Sequence, residues 1–434
     1  MGSRGRVRWG ENRPTIGVNI RGIPAREKVP ARGRDHWRGV LELFAVTAPG
    51  LEALAQAELA ALGIAAEPEP GGAGFEGDDT ALYRANLRLR TASRVLVRMA
   101  RFRARSFIEL ERHARRVEWR TYLGVGAPFS LRVSSRKSKL YHERAVAERF
   151  GRWIGEETGA RLAGSAGGPG AADGDEEEME AADGGQLFVV RFLRDECVVS
   201  ADSSGALLHR RGYRQEVAKA PLRETLAAAA ILAAGWRGGS PLLDPMCGSG
   251  TIPIEAALIA RRIPPGLATA AREPRAYAFQ HWPRFDRSLW DRVVAEARRE
   301  LLPAAGVPIA GSDRDEGAIA AARANAGRAG VGDDIGFEVA ALTAATVPAG
   351  RGLLLCNPPY GVRMGETKAL RDLYAAVGKL ARTELVEWEV GLLAADAGLV
   401  RQTGLEMREV LATRNGGIPV RLYVGGGRDP GEGS

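Results

Sequence analysis

The chain has 434 residues, 45% of them hydrophobic, which is enough for two or three domains that each bury a core. No apolar run reaches the roughly 20 residues that a membrane-spanning helix needs, and the arginine-rich start lacks the apolar centre of a secretory signal. These features argue against a membrane protein and predict a cytoplasmic location. The cysteines are far apart and no histidine lies in a cluster with carboxylates, so neither a disulfide framework nor a metal site is expected.

The net charge of +8 is carried mainly by arginine, which binds phosphate through a planar fork and stacks on bases. This favours a polyanionic partner such as nucleic acid, whereas a solvated basic surface is the alternative. Residues 1–40 are basic, rich in glycine and proline, and without apolar periodicity. They are predicted to form a disordered arm that either adds phosphate affinity or is a passive tail.

A folded region is predicted from residue 41. Residues 43–46 have a strand pattern, and residues 50–62 have the pattern of an amphipathic helix that ends at Gly63. An acidic, low-complexity insert at about 164–185 is expected to be a solvated surface loop. Strand patterns follow at 187–191 and 197–200, and the polar Ser203-Ser204-Gly205 segment places the boundary between two halves at 203/204.

Strands and helices alternate in residues 204–434, which predicts a mostly parallel, doubly wound sheet. The predicted helices are 222–234, 252–261, 316–329 and 368–383. The predicted strands are one that ends at Asp244, then 307–312, 335–339, 352–356 and 389–393, and a last pair near Val410 and Val420. Asn415-Gly416-Gly417 predicts that this last pair is an antiparallel hairpin at the sheet edge. In such sheets ligands bind beyond the carboxyl ends of the strands.

Two of these strand ends carry polar or glycine-rich motifs. The segment from Asp244 to Thr251 (DPMCGSGT) is a glycine turn between a strand and a helix, where backbone can approach a ligand closely. It lacks the Gly-Lys-Ser/Thr ending of a phosphate-binding loop. At the next strand end, Asp313 is favoured as the acceptor for ribose hydroxyls, and Asp315 is the competing candidate, with a second role as cap of the following helix.

A third motif, Asn357-Pro358-Pro359-Tyr360, follows the fourth strand. The prolines stiffen the loop and remove donors, so the Asn357 amide oxygen and the Pro358 carbonyl can both accept N–H bonds from an exocyclic amine, while Tyr360 stacks on the base. The base must be unpaired or flipped out of a duplex. A rigid structural turn is the alternative, and the motif alone does not separate guanine N2 from adenine N6 or a protein glutamine amide. Cys356 beside it is expected to be a core residue.

The second half, from the Leu208–Arg214 (LHRRGYR) and Ala220–Leu226 (APLRETL) segments through these motifs to Gly417, resembles the THUMP-domain guanine-N2 RNA methyltransferases. The resemblance extends to Phe44, Gly50–Glu52 and Asn86–Arg94. It implies an α/β fold: a class I, Rossmann-like methyltransferase domain at 204–434, preceded by an α+β ferredoxin-like and THUMP RNA-binding region at 41–203. It also implies S-adenosylmethionine as cofactor, structured RNA (23S ribosomal RNA or transfer RNA) as partner, and N2-methylguanosine as product.

The resemblance also implies roles by motif position. The cofactor would contact Asp244, Cys247, Gly248 and Gly250 through its methionine part, Asp313 through its ribose, and also Thr225. The target base would be oriented by Asn357, Pro358 and Tyr360. The chain departs from the pattern at residues 340–343 (AALT), where related sequences often carry an acidic residue toward the adenine. Either backbone groups replace that acid or cofactor affinity is lower.

Two basic segments have open interpretations. Between residues 281 and 290 the sequence interleaves aromatic and basic residues, which either clamp RNA or, as we favour, pack an inserted segment onto its domain (His281, Trp282, Arg284, Phe285, Trp290). A second group either grips phosphate or forms a solvated helix face (Arg136, Lys137, Lys139, Tyr141, His142, Arg144). A catalytically idle RNA-binding protein is the rival from another class, supported only by the departure at Ala341.

Overall fold

The first half of the chain builds a single sheet. The structure, a computed structural model, describes residues 39–166, 185–215, 222–359 and 367–426. The predicted basic arm, nearly all of the acidic insert, and Tyr360 lie outside these residues. The eight-stranded sheet has the order β2-β3-β1-β4-β8-β7-β5-β6. Its elements are β1 (Leu41–Thr47), α1 (Glu52–Ala61), β2 (Ala66–Glu69), β3 (Gly72–Gly77), α2 (Asp79–Arg88), β4 (Ala92–Arg103), α3 (Phe107–Ala114), β5 (Pro128–Arg136), α4 (Glu143–Thr158), β6 (Arg161–Ala166), β7 (Gln186–Leu193) and β8 (Glu196–Asp202).

The second half builds a seven-stranded sheet in the order β11-β10-β9-β12-β13-β15-β14. Its elements are α5 (Glu224–Ala233), β9 (Leu242–Asp244), α6 (Thr251–Ala260), α7 (Arg287–Arg299), β10 (Ile309–Asp313), α8 (Glu316–Arg328), β11 (Ile335–Val339), β12 (Leu353–Cys356), α9 (Thr367–Thr383), β13 (Glu389–Ala394), α10 (Ala397–Val400), β14 (Met407–Asn415) and β15 (Ile418–Gly425). The strands from β9 to β13 pair in parallel, and β15 is antiparallel to both neighbours. The predicted alternation and the edge hairpin are both confirmed.

Small shifts from the predicted bounds have local causes. The strand predicted from Val307 begins at Ile309, after Pro308, which has no N–H to donate to a ladder. Helix α6 begins directly after Gly250, whose φ of +84° ends the preceding turn. At the hairpin, Gly416 and Gly417 have φ values of +53° and +83°, as a two-residue turn between twisted strands requires.

The strand order brings the predicted motifs to one edge of the second sheet. Strand β9 lies between β10 and β12, with Asp244 beside Gly311 and Leu243 beside Leu354. Because all three strands are parallel, their carboxyl ends open on the same side. The order of connection reverses at β9, and a crevice at such a reversal is where open α/β sheets bind ligands.

The inserted segment before α7 packs against the first half. Tyr83 stacks on Phe279 with ring centroids 4.6 Å apart, and the Trp282 indole donates a hydrogen bond to Gln186 Oε1 at 2.6 Å. Arg284 donates to both carboxylate oxygens of Asp79 at 2.9 Å. The packing interpretation of residues 281–290 is therefore confirmed, and an RNA clamp formed by the two tryptophans is wrong because both are buried.

The residues at the predicted 203/204 boundary are buried. Ser203 and Ser204 are fully enclosed, and Asn86 of α2 donates to Ser203 Oγ and accepts from Ser204 Oγ at 2.8 and 2.7 Å. Their polarity satisfies hydrogen bonds inside a packed junction instead of marking an exposed linker. The described residues from Val40 onward accordingly belong to one compact unit. The boundary itself stays a prediction.

A buried charge network joins this junction to α6. Arg211 donates to the backbone carbonyls of Leu208 and Arg90, each at 2.6 Å, and lies 3.6 Å from Glu255 on α6. The Tyr213 hydroxyl donates to the same carboxylate at 3.0 Å. Because α6 begins at the glycine turn, the network connects the first half to the helix that holds that turn.

We expect Arg211→Met to lower the free energy of unfolding by about 3–5 kcal/mol, because it leaves the Glu255 carboxylate buried without its cation. Methionine keeps most of the side-chain volume, so the loss reflects charge and hydrogen bonding. Urea unfolding followed by circular dichroism measures it. Arg351→Met is the control: it breaks an ion pair whose side chains are 76% and 51% exposed, and should cost less than about 1 kcal/mol. Equal effects in the two variants would contradict the expectation.

No helix among the described residues is both long enough and apolar enough to cross a membrane.

Candidate active site

The glycine turn after β9 combines two different uses of glycine. Gly248 and Gly250 both have left-handed φ values, +52° and +84°. A Cβ at Gly250 would lie 3.0 Å from Ala322 Cβ and 3.1 Å from the Phe337 ring, so this position is packed. A Cβ at Gly248 would meet no described atom within 4 Å. The Gly248 backbone therefore faces open space, where a ligand can approach it.

Asp244 is a buried carboxyl group at the end of β9. Its Oδ1 accepts the Met246 N–H at 3.1 Å, and no described residue forms an ion pair with it. Burial, with a smaller contribution from the Asp313 charge, raises the pKa of Asp244 to about 8, although the Met246 hydrogen bond acts to lower it. A carboxylate held in this environment is stabilised by a cationic group that enters the site.

Asp313 connects the glycine turn to β10. Its Oδ2 accepts the Gly248 N–H at 3.0 Å and its Oδ1 accepts the Asp315 N–H at 3.0 Å. Each oxygen has a further lone pair for an outside donor. Asp315 caps α8, since its Oδ1 accepts the N–H groups of Gly317 and Ala318 at 2.8 and 3.3 Å. The capping role predicted for Asp315 is thus confirmed.

The end of β12 lies beside the end of β9. Asn357 is half-buried, Pro358 is buried and Pro359 is exposed, whereas Tyr360 lies outside the described residues. Cys356 is fully buried in the core, and burial raises the pKa of its thiol well above the ordinary range, so it is a core residue as predicted. Asn357 is thus the polar residue at the end of this strand, and it is half-buried.

The two remaining predicted cofactor residues are Cys247, in the glycine turn, and Thr225, on the neighbouring helix α5. Cys247 is buried in the turn, and its N–H donates to the Ser312 carbonyl at 2.9 Å. Thr225 is buried in the first turn of α5, which packs against α6, and so lies outside the turn itself. Beside it, Glu224 pairs with Arg214 at 3.0 Å, and burial raises the pKa of Glu224 to about 7.

The departure after β11 has a simple backbone structure. The Ala340 N–H donates to the Asp313 carbonyl at 3.0 Å, and Ala341 precedes a short 3-10 turn, Leu342–Ala344. The segment therefore stays attached to the end of β10, although its side chains offer no carboxylate.

Sequence reasoning missed Ser312 and Glu255. Ser312 is fully buried between Gly311 and Asp313, and its hydroxyl has no hydrogen-bond partner among the described residues. Glu255 lies in an apolar helix, so a lone buried carboxylate in the pattern was the available signal. Ser312 lies behind the glycine turn, since its carbonyl accepts the Cys247 N–H, and Glu255 lies in the helix that follows the turn.

A separate cleft of about 610 Å³ lies along α7 and residues 273–276, away from the strand ends. Its arginines are already engaged: Arg298 pairs with Glu273 at 3.1 Å, and Arg287 pairs with Asp291 at 3.0 Å. The strand-end crevice is therefore the better candidate. Nowhere in the described ranges do three His, Cys, Asp or Glu side chains gather as a metal site would require.

Comparison with protein families matches two parts of the chain. Residues 211–423 match the family described as RMKL-like, methyltransferase domain, and residues 42–96 match the RlmL ferredoxin-like domain. The Putative RNA methyltransferase slr0064 of Synechocystis sp. is 33% identical over 383 residues, which cover 87% of this chain and 95% of that protein. The Ribosomal RNA large subunit methyltransferase K/L of Syntrophotalea carbinolica is 36% identical over 407 residues, which cover 88% of this chain and 53% of that longer protein.

Two solved structures are similar over most of their length. SMU.472, a putative methyltransferase complexed with SAH, has a TM-score of 0.77 and 30% identity, covering 90% of this chain and 99% of that one. A predicted N6-adenine-specific DNA methylase from Listeria monocytogenes has a TM-score of 0.75 and 31% identity, covering 90% and 97%. With the ferredoxin-like match, these similarities confirm the predicted fold class.

Proposed function

Because the chain belongs to the RMKL-like methyltransferase family, we propose that it methylates guanine N2 in structured RNA, with 23S ribosomal RNA as the first candidate substrate and transfer RNA as the second. It is an S-adenosylmethionine-dependent RNA methyltransferase, in keeping with the RNA methyltransferase relatives and the SAH complex of SMU.472. The observation that carries the finer proposal is the position of Asn357-Pro358 at the end of β12, next to the end of β9.

The residues around β9 fit S-adenosylmethionine. Its amino-acid part carries an ammonium group, which suits the buried Asp244 carboxyl, and the Gly248 backbone offers an open approach. Asp313, whose carboxylate is already oriented by Gly248 and Asp315, would accept ribose hydroxyls. Cys247, Gly250 and Thr225 would shape the same site. When bound, the cofactor supplies an electrophilic methyl group on a sulfonium and a thioether leaving group.

The protein's part in the reaction is to orient the target amine. Asn357 and Pro358 would accept the two N–H groups of guanine N2 through the amide oxygen and the backbone carbonyl, which turns the nitrogen lone pair toward the methyl carbon. Asn357 and Pro358 would hold the amine in this orientation during methyl transfer, and the proton lost from N2 would leave to solvent. Tyr360 would stack on the base. On the family resemblance, we assign the first half beyond the ferredoxin-like match, up to residue 203, to a THUMP part that holds folded RNA.

Adenine N6 is the second candidate target, favoured by the Listeria structure described as a predicted N6-adenine-specific DNA methylase. Both amines present two N–H groups, so the acceptor pair does not separate them. The resemblance to the guanine-N2 RNA methyltransferases, which covers nearly all of the chain except the basic arm and the acidic insert, favours guanine.

Incubation of the purified protein with methyl-labelled S-adenosylmethionine and hypomethylated ribosomal or transfer RNA tests the proposal. Nucleoside mass spectrometry should find labelled N2-methylguanosine. Label in N6-methyladenine of DNA or RNA, or in protein, would overturn the guanine assignment. Calorimetry with S-adenosylmethionine tests the rival hypothesis of a catalytically idle RNA-binding protein. Failure to bind the cofactor would favour that rival.

A further inference from the structure

Three loops of the first half converge at one end of the eight-stranded sheet. They follow β4, follow β5, and connect β7 to β8. We call this group the Asp195 cluster, and define it by one acid and the six basic residues around it (Arg103, Arg105, Arg136, Lys137, Lys139, Arg194). Arg103 and Arg105 have side chains that are 65% and 51% exposed, and the other four basic residues are also exposed.

Asp195 holds the three loops together. Its carboxylate accepts the Lys139 N–H at 2.8 Å and the Arg105 guanidinium at 2.9 Å. Its own N–H donates to Ser138 Oγ at 2.9 Å, and its carbonyl accepts the Ala104 N–H at 3.0 Å. The two bonds to the carboxylate lower the pKa of Asp195, the Lys139 N–H bond contributing most. A single buried acid thus arranges the backbone that carries the cations.

The same loops contain backbone conformations that their side chains disfavour. Lys137, Arg194 and Asp195 have φ values of +50°, +52° and +66°. Arg194 and Asp195 are the central pair of the two-residue turn between β7 and β8, where Asn-Gly is the preferred pair. Non-glycine residues in this region cost of order 1–3 kcal/mol each, and such costs gather at functional sites. Arg194 and Asp195 therefore do not occupy this turn because they stabilise it locally, and a functional role is the other explanation for them.

The cations at the surface are only partly neutralised. Lys137, Lys139 and Arg194 form no ion pair with any residue that the structure describes. Two nearby acids each accept a backbone N–H, Glu109 that of Arg105 at 2.7 Å and Glu143 that of Ser135 at 2.8 Å, so with Asp195 the acids near the cluster are fewer than its six cations. The cluster therefore presents a positive surface to an anion.

An exposed aromatic residue adjoins the cluster. Tyr141 is 65% exposed and its ring centroid lies 4.1 Å from that of His142. Both residues lie in the 137–142 loop, separated from Lys139 by the buried Leu140. An exposed aromatic face beside exposed cations is the combination that binds an unpaired base and its flanking phosphates.

We propose that the Asp195 cluster and Tyr141 form a docking surface for RNA, in which the cations bind consecutive phosphates and Tyr141 stacks on one unpaired base. The proposal rests on the proposed function and adds to it the surface that holds the substrate away from the methylation site. Of the two interpretations of residues 136–144, we therefore adopt phosphate binding over a solvated helix face.

The first test measures binding without catalysis. A fluorescent RNA hairpin with a single-stranded overhang is titrated with wild type, Lys137→Ala/Lys139→Ala and Tyr141→Ala at several salt concentrations. The double variant should bind about tenfold more weakly at 0.15 M salt and lower the slope of log Kd against log salt by about 1.5–2. Tyr141→Ala should lose affinity for the overhang hairpin and keep its affinity for a blunt duplex. Arg351→Ala, a cation of the second half, is the control and should bind as wild type.

The second test asks whether RNA binding depends on the loop arrangement that Asp195 maintains or only on the net charge of the cluster. If charge alone mattered, Asp195→Asn would strengthen RNA binding; we expect it to weaken binding about as much as the double lysine variant. Glu196→Gln removes a charge next to it that pairs with Arg101, and should bind equally or more tightly. Because Asp195→Asn can also disturb folding, circular dichroism and the melting temperature are measured for every variant, and the lysine and Tyr141 variants, which leave the Asp195 bonds in place, test the surface independently.

The inference is overturned if the lysine and Tyr141 variants keep wild-type affinity, or if Asp195→Asn binds more tightly. Failure of the proposed function looks different: wild type would then produce no N2-methylguanosine, whatever the cluster variants bind.

Discussion

Asn357→Ala is expected to reduce methyl transfer by at least about 100-fold while S-adenosylmethionine binds with nearly unchanged affinity. Loss of one preorganised polar group that acts in the transition state commonly costs about 10²–10³ in kcat. Alanine removes the acceptor that orients the amine, yet leaves Asp244, Gly248 and Asp313 intact. Single-turnover assays with labelled cofactor measure the rate, and calorimetry measures cofactor affinity.

Two further variants make this result specific. Gln402→Ala removes an exposed amide elsewhere in the same half and should be fully active. Asn357→Asp keeps one acceptor oxygen and should fall between alanine and wild type. Near-normal turnover of Asn357→Ala, with product confirmed by mass spectrometry, would remove Asn357 from the proposed reaction.

Asp244→Asn is expected to weaken S-adenosylmethionine binding by about 10–100-fold, the cost of losing a hydrogen bond to a charged group. Asparagine keeps an oxygen that accepts the Met246 N–H, so the turn should keep its shape. The variant protein without cofactor should nevertheless be more stable than wild type, because an ionisable group no longer has to be buried. A variant that is more stable to unfolding but binds S-adenosylmethionine more weakly is expected if Asp244 is kept for ligand binding and not for stability.

The difference in stability should depend on pH. Asp244 has a pKa of about 8 in the folded protein, against about 4 in an unfolded chain, so the folded state holds the extra proton between these values. Its contribution to stability is complete below about pH 4 and is lost as the pH rises toward 8. The melting temperature of Asp244→Asn should therefore exceed that of wild type by an increasing amount from pH 5 to pH 8 and level off above.

Cofactor binding offers an independent measurement of the same group. If the ammonium group pairs with ionised Asp244, binding at pH 7 releases a proton, and the calorimetric enthalpy of wild type depends on the ionisation enthalpy of the buffer. Asp244→Asn should show no such dependence. Asp315→Asn, which keeps a capping side chain on α8, is the matched control with wild-type affinity. A wild-type enthalpy that is equal in all buffers would contradict the pairing.

Local patterns in the sequence were sufficient for most elements of the second half, whereas helices α7 and α10 were not predicted. Apolar periods, a glycine pair with left-handed φ, and a proline that removes a donor all act within a few residues, so the positions of β9, β10, β12 and their turns were predictable. The roles of Asn357 and Asp313 stay proposals, as does the cytoplasmic location. Guanine as the target base rests on family resemblance, since the acceptor pair suits two different amines.

Some residues could not be assigned a role from the sequence because their contacts are with residues far away in the chain. Ser203 and Ser204 are polar because Asn86 lies against them, more than 100 residues earlier in the chain. Trp282 is buried because Gln186 and Tyr122 meet it. A composition pattern reports whether a segment is polar or apolar, whereas only packing decides whether polar atoms face water or one another.

By itself, the sequence determined most of the alternating strands and helices and the turns at their carboxyl ends, because backbone preference and side-chain period act locally, and its motifs carried the resemblance to the methyltransferase family. Tertiary structure alone decided that α6 is tied to the first half through Arg211 and Glu255, and that Asp195 gathers three loops into one basic surface. In both cases a buried charge requires partners from distant segments, and the energy of those contacts exists only when the chain has folded around them.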